Sequence, residues 1–260
     1  SGDETEGKQV KVERTDPPGR KRSGHWYKTD HANHEGKVLP SVTGIVGVMA
    51  KPALVNAAVK LDVEAMAGLA LGMYMGDRRE YESWLEPLVK AAKTYHKDIW
   101  ESAAQEGTEA HQVVAEYLTG TAHVNLSVPE SIMSTIPSLS LWYEATQPEK
   151  IIAVEETVAH PFLDYAGTVD LIYLKDGVVH FADWKTGGIG YDEQAAQLAG
   201  YQLAWREMND HRWDIHGEVV HLNKSGEPGF AVKDVNLENA VPMFLAALDL
   251  WNATQKKVWL

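Results

Sequence analysis

Asp170, Asp183 and Lys185 are the residues of this 260-residue chain whose types and spacing most directly suggest chemistry. They lie in GTVDLIYLKDGVVHFADWKTG (167–187), among residues that otherwise suit the core of a sheet. Asp176-Gly177 between two apolar runs is a strong hairpin signal and favours a two-residue type I′ loop. With that loop, Lys175 faces Val178 and pairing runs outward until Asp170 stands opposite Asp183. Side chains alternate with period two, so Lys185 shares the face of Asp183. Ile172, Leu174, Val179 and Phe181 complete that face. The other face carries Leu171, Ala182, and Tyr173 opposite His180. Opposed residues have β-carbons about 4.5–5.5 Å apart, where like charges destabilise. Two carboxylates so placed need a proton or a cation, and their oxygens suit Mg2+ or Mn2+. Lys185 would then orient a water, stabilise charge on a phosphate or assist proton transfer. The plain alternative is an Asp–Lys salt bridge at a sheet edge.

An acidic residue on one strand followed by (D/E)-X-K on the next resembles the PD-(D/E)XK nuclease superfamily. Asp170 matches the first position and Asp183-Trp184-Lys185 the second. Further stretches are similar to the RecB-like exonuclease branch, which takes in phage exonucleases and the mitochondrial genome maintenance exonuclease. GTEAHQVVAEYL resembles the branch's histidine-bearing helix, AVEETVAHPFLDYAGTVDLI the strand before the first aspartate, and QLAGYQLA the Q-x-x-x-Y motif. LPSVTGI resembles an element near the start of phage and mitochondrial members. The resemblance covers about 25–205. Gly-Thr-Val precedes Asp170 where the superfamily name has proline. The resemblance implies a restriction-endonuclease-like core and an Mg2+ or Mn2+ ion held by Asp170, Asp183, the Trp184 backbone carbonyl and His111. It gives Glu155, with Glu156 as the alternative, to a second metal or a metal-bound water. Gln197 and Tyr201, four apart and so on one helical face, would bond phosphates or position Lys185. The implied activity is that of a DNA exonuclease acting on single-stranded or end-exposed DNA in replication, recombination or repair, beside other proteins of those processes. A structure-specific endonuclease of the same superfamily and a non-catalytic DNA-binding module are the alternatives.

These groups need elements to hold them. The fold expected is α/β, a central mixed β-sheet flanked by helices, with a helical N-terminal part. Residues 1–24 are polar, charged and rich in Gly and Pro, and read as a disordered or tag-like segment. Residues 25–260 read as one nuclease domain, mostly helical over 25–125 and α/β over 126–260. HWYKTDHANHEGKVLPSVT suggests short strands about a turn at Glu35-Gly36, then a helix start capped by Ser41 or Thr43. Pro52 reopens a helix, and 53–118 is helical in pattern, punctuated at Gly107-Thr108, where Thr108 is the expected cap of a new helix. IIAVEETVAH, GTVDLIYL, GVVHFADW, GEVVHLNK and FAVKDV read as strands. YDEQAAQLAGYQLAWREM and VPMFLAALDLWNATQKKVW read as helices, the latter with Pro242 near its first turn.

Composition narrows the partners. A net charge of −13 argues against a general nucleic-acid coat protein, since such affinity comes from neutralising phosphates. A local basic groove remains compatible with it. Arg78, Arg79 and Lys93 are candidates to line a strand's path, though such charges usually form a solvated helix face. Ser41 and Thr43 could bind a phosphate or simply cap the helix. His25, His31 and His34 with Asp30 match no zinc spacing and read as a polar turn. The absence of cysteine excludes disulfides and a cysteine-held iron–sulfur cluster. No signal peptide or apolar run of membrane-spanning length is visible. With the resemblance, this makes the expected compartment the cytoplasm of a bacterial or phage-infected cell.

Overall fold

The computed structural model describes residues 11–16, 25–49, 60–64, 99, 101–120, 130–209 and 213–255. The chain divides into two compact units, Ala50–Glu109 in one and Ser1–Met49 with Ala110–Leu260 in the other. In the smaller unit the described residues 60–64 and 101–109 are helical. Pro52, Arg78, Arg79 and Lys93, with most of the 53–118 pattern, lie outside the described residues. Helix α2 (101–119) runs unbroken through Gly107-Thr108. Thr108 therefore caps nothing: its hydroxyl donates to the Ala104 carbonyl one turn back at 3.0 Å. Single glycines are tolerated inside helices at a cost of about 1 kcal/mol, and here the helix absorbs it.

The larger unit is built on a five-stranded mixed sheet whose strands lie side by side in chain order. Its strands are β4 (Lys150–Ala159), β5 (Ala166–Lys175), β6 (Val178–Lys185), β7 (Ile215–Leu222) and β8 (Phe230–Val235). β6 and β7 are parallel; the other neighbours are antiparallel. A parallel pair needs a crossover, and helix α4 (Asp192–Asn209) supplies it. The expected hairpin register holds, from Lys175↔Val178 out to Leu171↔Ala182. Asp176 and Gly177 have φ of 51° and 75°, as a type I′ turn requires at both positions.

β5 is buried along most of its length, because helices cover both faces of the sheet. On one face Ile172, Val179 and Phe181 pack with α4, α5 (Leu237–Thr254) and the short helix α1 (Val42–Val46). On the other, Leu171, Tyr173, Ala182 and Trp184 pack with Val114 of α2 and with Leu139 and Trp142 of α3 (Thr135–Thr146). Trp142 sets its edge against Tyr173 and Trp184, with ring centroids 5.6 and 4.9 Å apart. Such pairs each add about 1 kcal/mol beyond the area they bury. α5 starts before the expected Val241. Asn236 caps it, its side chain accepting the Asn239 N–H at 3.0 Å, so Pro242 sits inside the helix.

A second, three-stranded antiparallel sheet joins β1 (Val12–Thr15), β2 (Trp26–Thr29) and β3 (Leu39–Pro40). β1 lies within the polar stretch 1–24 that reads as disordered. Its Val12 is buried, and the Val12 carbonyl accepts the Thr157 hydroxyl of β4 at 3.2 Å. Gly36 takes φ 72° in the turn between β2 and β3. No helix among the described residues is long and apolar enough to cross a membrane.

Candidate active site

Asp170 and Asp183 meet where the β5–β6 ladder ends. The next pair outward would be Asp170 with Asp183, but the Trp184 N–H turns to Asp170 Oδ2 at 2.9 Å instead of to a backbone carbonyl. Both carboxylates are buried, so each must find partners or pay for desolvation. They find different ones. Asp183 Oδ2 faces Lys185 Nζ at 2.5 Å, and Asp183 Oδ1 accepts the Gln197 side-chain amide at 2.8 Å. The same amide nitrogen lies 3.0 Å from the Tyr201 hydroxyl. Gln197 and Tyr201 reach the sheet because α4 lies against it with nearly every residue from Ala196 to Trp205 buried.

Asp170 faces the opposite way, toward α2 and β4. His111 Nδ1 is 3.4 Å from Asp170 Oδ2. One donor atom each from His111, Glu155 and Asp170 lie within 4.8 Å of one another. Glu155 belongs to this cluster and Glu156 does not. The β4–β5 register shifts by one residue at Ile152, and from there Glu155 stands at the level of Asp170, a position the ladder skips. Glu155 has φ 52°, a left-handed backbone that costs a side-chain-bearing residue about 1–2 kcal/mol.

Electrostatics separates the two aspartates. Burial pushes the Asp170 carboxyl up, but His111, Lys185 and the Trp184 N–H together outweigh it and hold it below the usual range. Burial and the charge of Asp170 outweigh Lys185 at Asp183, which is raised. Lys185 is disfavoured by burial but raised overall by Asp183 and Asp170, so it stays an ammonium. His111 is likewise opposed by burial and raised by Asp170. Burial and then Asp170 raise Glu155, against His111 and Arg14. A carboxylate pushed up by a neighbouring carboxylate is a place where a cation lowers the energy.

The structure thus brings together Asp170, Asp183, Lys185, His111, Glu155, Gln197 and Tyr201. Trp184 meets Asp170 through its backbone N–H. Ser41 is buried as the cap of α1, its hydroxyl oxygen accepting the Gly44 N–H at 2.9 Å and the Thr43 hydroxyl at 3.0 Å. Both hydroxyls are engaged within the turn. Sequence reasoning missed Arg14 of β1, whose guanidinium is 3.8 Å from Glu155 Oε2. It also missed Tyr27 of β2, whose hydroxyl meets Thr168 at 3.0 Å, two residues from Asp170. No spacing rule links either to the hairpin. Only the alternation Val10-Lys11-Val12-Glu13 hinted at a strand there.

No protein-family model matches the chain, and no curated protein matches it. Among the solved structures it matches, that of SSO0001 is similar over 56% of this chain and 72% of its own, with 13% identity and a TM-score of 0.25. A likeness that low carries no argument about fold or function.

Proposed function

We propose that the protein is a metal-dependent deoxyribonuclease of the PD-(D/E)XK type, an exonuclease of the RecB-like branch acting on single-stranded or end-exposed DNA. The observation that carries this reading is the ion pair of Lys185 with Asp183 beside the His111–Glu155–Asp170 cluster. The donor set fits Mg2+ or Mn2+: carboxylate oxygens suit both, and the imidazole favours Mn2+. His111, Glu155 and Asp170 would hold the ion, with Asp183 alongside. Such an ion would supply polarisation of the scissile phosphate and would lower the pKa of a water bound to it.

The chain's own groups do the rest. Lys185 is kept charged by Asp183 and Asp170, so its ammonium can face the negative charge that gathers on a phosphate under attack. Gln197 fixes the Asp183 carboxylate through Oδ1, which leaves Oδ2 to Lys185. Tyr201 anchors Gln197 from the next turn of α4. On this reading, the resemblance and the lack of a visible signal peptide or cysteine make the workplace the cytoplasm of a bacterial or phage-infected cell, beside other replication or recombination proteins.

The deciding assay uses end-labelled linear and circular DNA, single- and double-stranded, with Mg2+, Mn2+ or EDTA. Linear DNA should be degraded only with a divalent ion, and Lys185→Ala or Asp170→Asn should lower the rate by 100-fold or more, on the order of 3 kcal/mol of barrier. Cutting of covalently closed circles would replace the exonuclease with an endonuclease. Full activity in Lys185→Ala would end the mechanism, and binding without cleavage under every condition would end the enzyme.

A further inference from the structure

A second constellation lies on the other face of β6 from Asp183 and Lys185. His180 on β6 pairs with His216 on β7, and Ala182 pairs with Glu218. By the alternation of side chains His180, His216 and Glu218 therefore share one face. One ring nitrogen from each histidine and one Glu218 oxygen lie within 4.8 Å of one another. Outer partners hold two of the three. The Tyr173 hydroxyl of β5 donates to Glu218 Oε1 at 2.8 Å. Asp234 of β8 meets His216 Nε2 at 3.0 Å. The third is in the wrong place for an ordinary polar network. His180 Nδ1 is buried with no hydrogen-bond partner, and it faces Glu218 Oε2 at 4.0 Å, beyond hydrogen-bond reach.

That gap is the size an ion closes. Zinc–nitrogen and zinc–oxygen bonds of about 2.0–2.2 Å at a tetrahedral angle set the two donor atoms about 3.4 Å apart, so a shift of roughly half an ångström suffices. The arrangement also has the outer shell a metal site needs, a carboxylate on one histidine and a hydroxyl on the ligating carboxylate. We propose that His180, His216 and Glu218 form a structural site for a borderline transition-metal ion of the Zn2+ class, separate from the Asp170 cluster, with Asp234 holding His216 from outside it. Two imidazoles and one carboxylate select such an ion over Mg2+. The ion would tie β6 to β7, the parallel pair of the sheet, and through Asp234 reach β8.

The test is Zn2+ titration by calorimetry on the full chain carrying Asp170→Asn and Glu155→Gln, so that the first cluster does not compete. One equivalent should bind, excess Mg2+ should not displace it, and the melting temperature should rise with Zn2+. Adding His216→Ala should abolish both binding and the rise. Tyr173→Phe, which keeps the ring and removes only the hydroxyl on Glu218, should weaken Zn2+ by about tenfold. This second variant keeps the test valid should His216→Ala fail to fold. No zinc binding in that background, or binding untouched by either substitution, overturns the proposal. Loss of nuclease activity alone bears only on the other face of the sheet.

Discussion

Glu155 pays twice for its position, once in backbone conformation and once in the charge of Asp170 beside it. Replacing it by alanine or glycine removes the carboxylate in both cases, so the difference between the two isolates the backbone. Glu155→Gly should be more stable than Glu155→Ala by about 1 kcal/mol, read as a shift in the urea midpoint, and both should lose cleavage. His160 is a residue of a different kind. Its Nδ1 accepts the N–H groups of Phe162 and Leu163 at 3.2 and 3.1 Å, which organises the turn between β4 and β5. Burial lowers its pKa, outweighing the opposing charge of Glu207, with a smaller push in the same direction from His34. The folded protein therefore binds fewer protons there than the unfolded chain. This contribution to stability is complete above the unfolded value of about 6.5 and is lost as pH falls through the lowered folded value. Melting temperatures should drop between pH 7.5 and 5.5. His160→Asn, whose side-chain oxygen can take the same two N–H groups without titrating, should flatten that drop.

At the scale of elements, the β5–β6 hairpin depends on α4 sitting close. A β-carbon at Gly167 would stand 2.5 Å from Tyr201 Cε1 and 3.2 Å from Val42 Cγ2. Gly167→Ala should therefore cost about 1–3 kcal/mol as an overpacked core position. By pushing Tyr201 it should also loosen Gln197 and lower the cleavage rate. Urea denaturation measures the first effect and the nuclease assay the second. The hairpin register was legible because Asp176-Gly177 fixes it locally, and α4 because good helix formers such as Ala, Gln, Leu and Glu fill it. Other elements were hidden for physical reasons. α3 is made of TIPSLSLWYEAT, with serines, threonines and a proline that propensity disfavours; it is held by burial of Leu139 and Trp142 and by the Ser138 hydroxyl on the Asn223 carbonyl at 2.9 Å. β1 has one buried apolar residue, Val12, in a polar stretch, and owes its order to tertiary bonds. The shift at Ile152 that levels Glu155 with Asp170 leaves no mark in the sequence, because a bulge is set by both strands together.

For the whole molecule, the balance of charge sets how it meets a polyanion. A chain of net charge −13 gains little from releasing counterions off DNA. Its buried carboxylates face any phosphate brought to them. Binding of end-labelled oligonucleotide should accordingly be weak in EDTA and strengthen by tenfold or more with Ca2+, which supplies the charge without supporting fast cleavage. Fluorescence anisotropy at fixed ionic strength separates this from simple screening. Equal affinity with and without the ion would mean that DNA is held elsewhere. The site is also a product of the whole fold. His111, Glu155, Asp170 and Gln197 come from four elements, and Arg14 from a fifth, so a fragment that carries it complete must run from β1 to α4.

The left-handed backbone at Glu155 has a consequence for heredity. Glutamate and glycine codons differ by a single base, so one mutational step relaxes the strand and disables the cluster together. If the cluster is catalytic as proposed, drift toward a sturdier fold and loss of catalysis run in the same direction at this codon. A lineage that no longer needed the reaction would be expected to lose this carboxylate early, and a glutamate retained there would be the mark of continuing selection for chemistry.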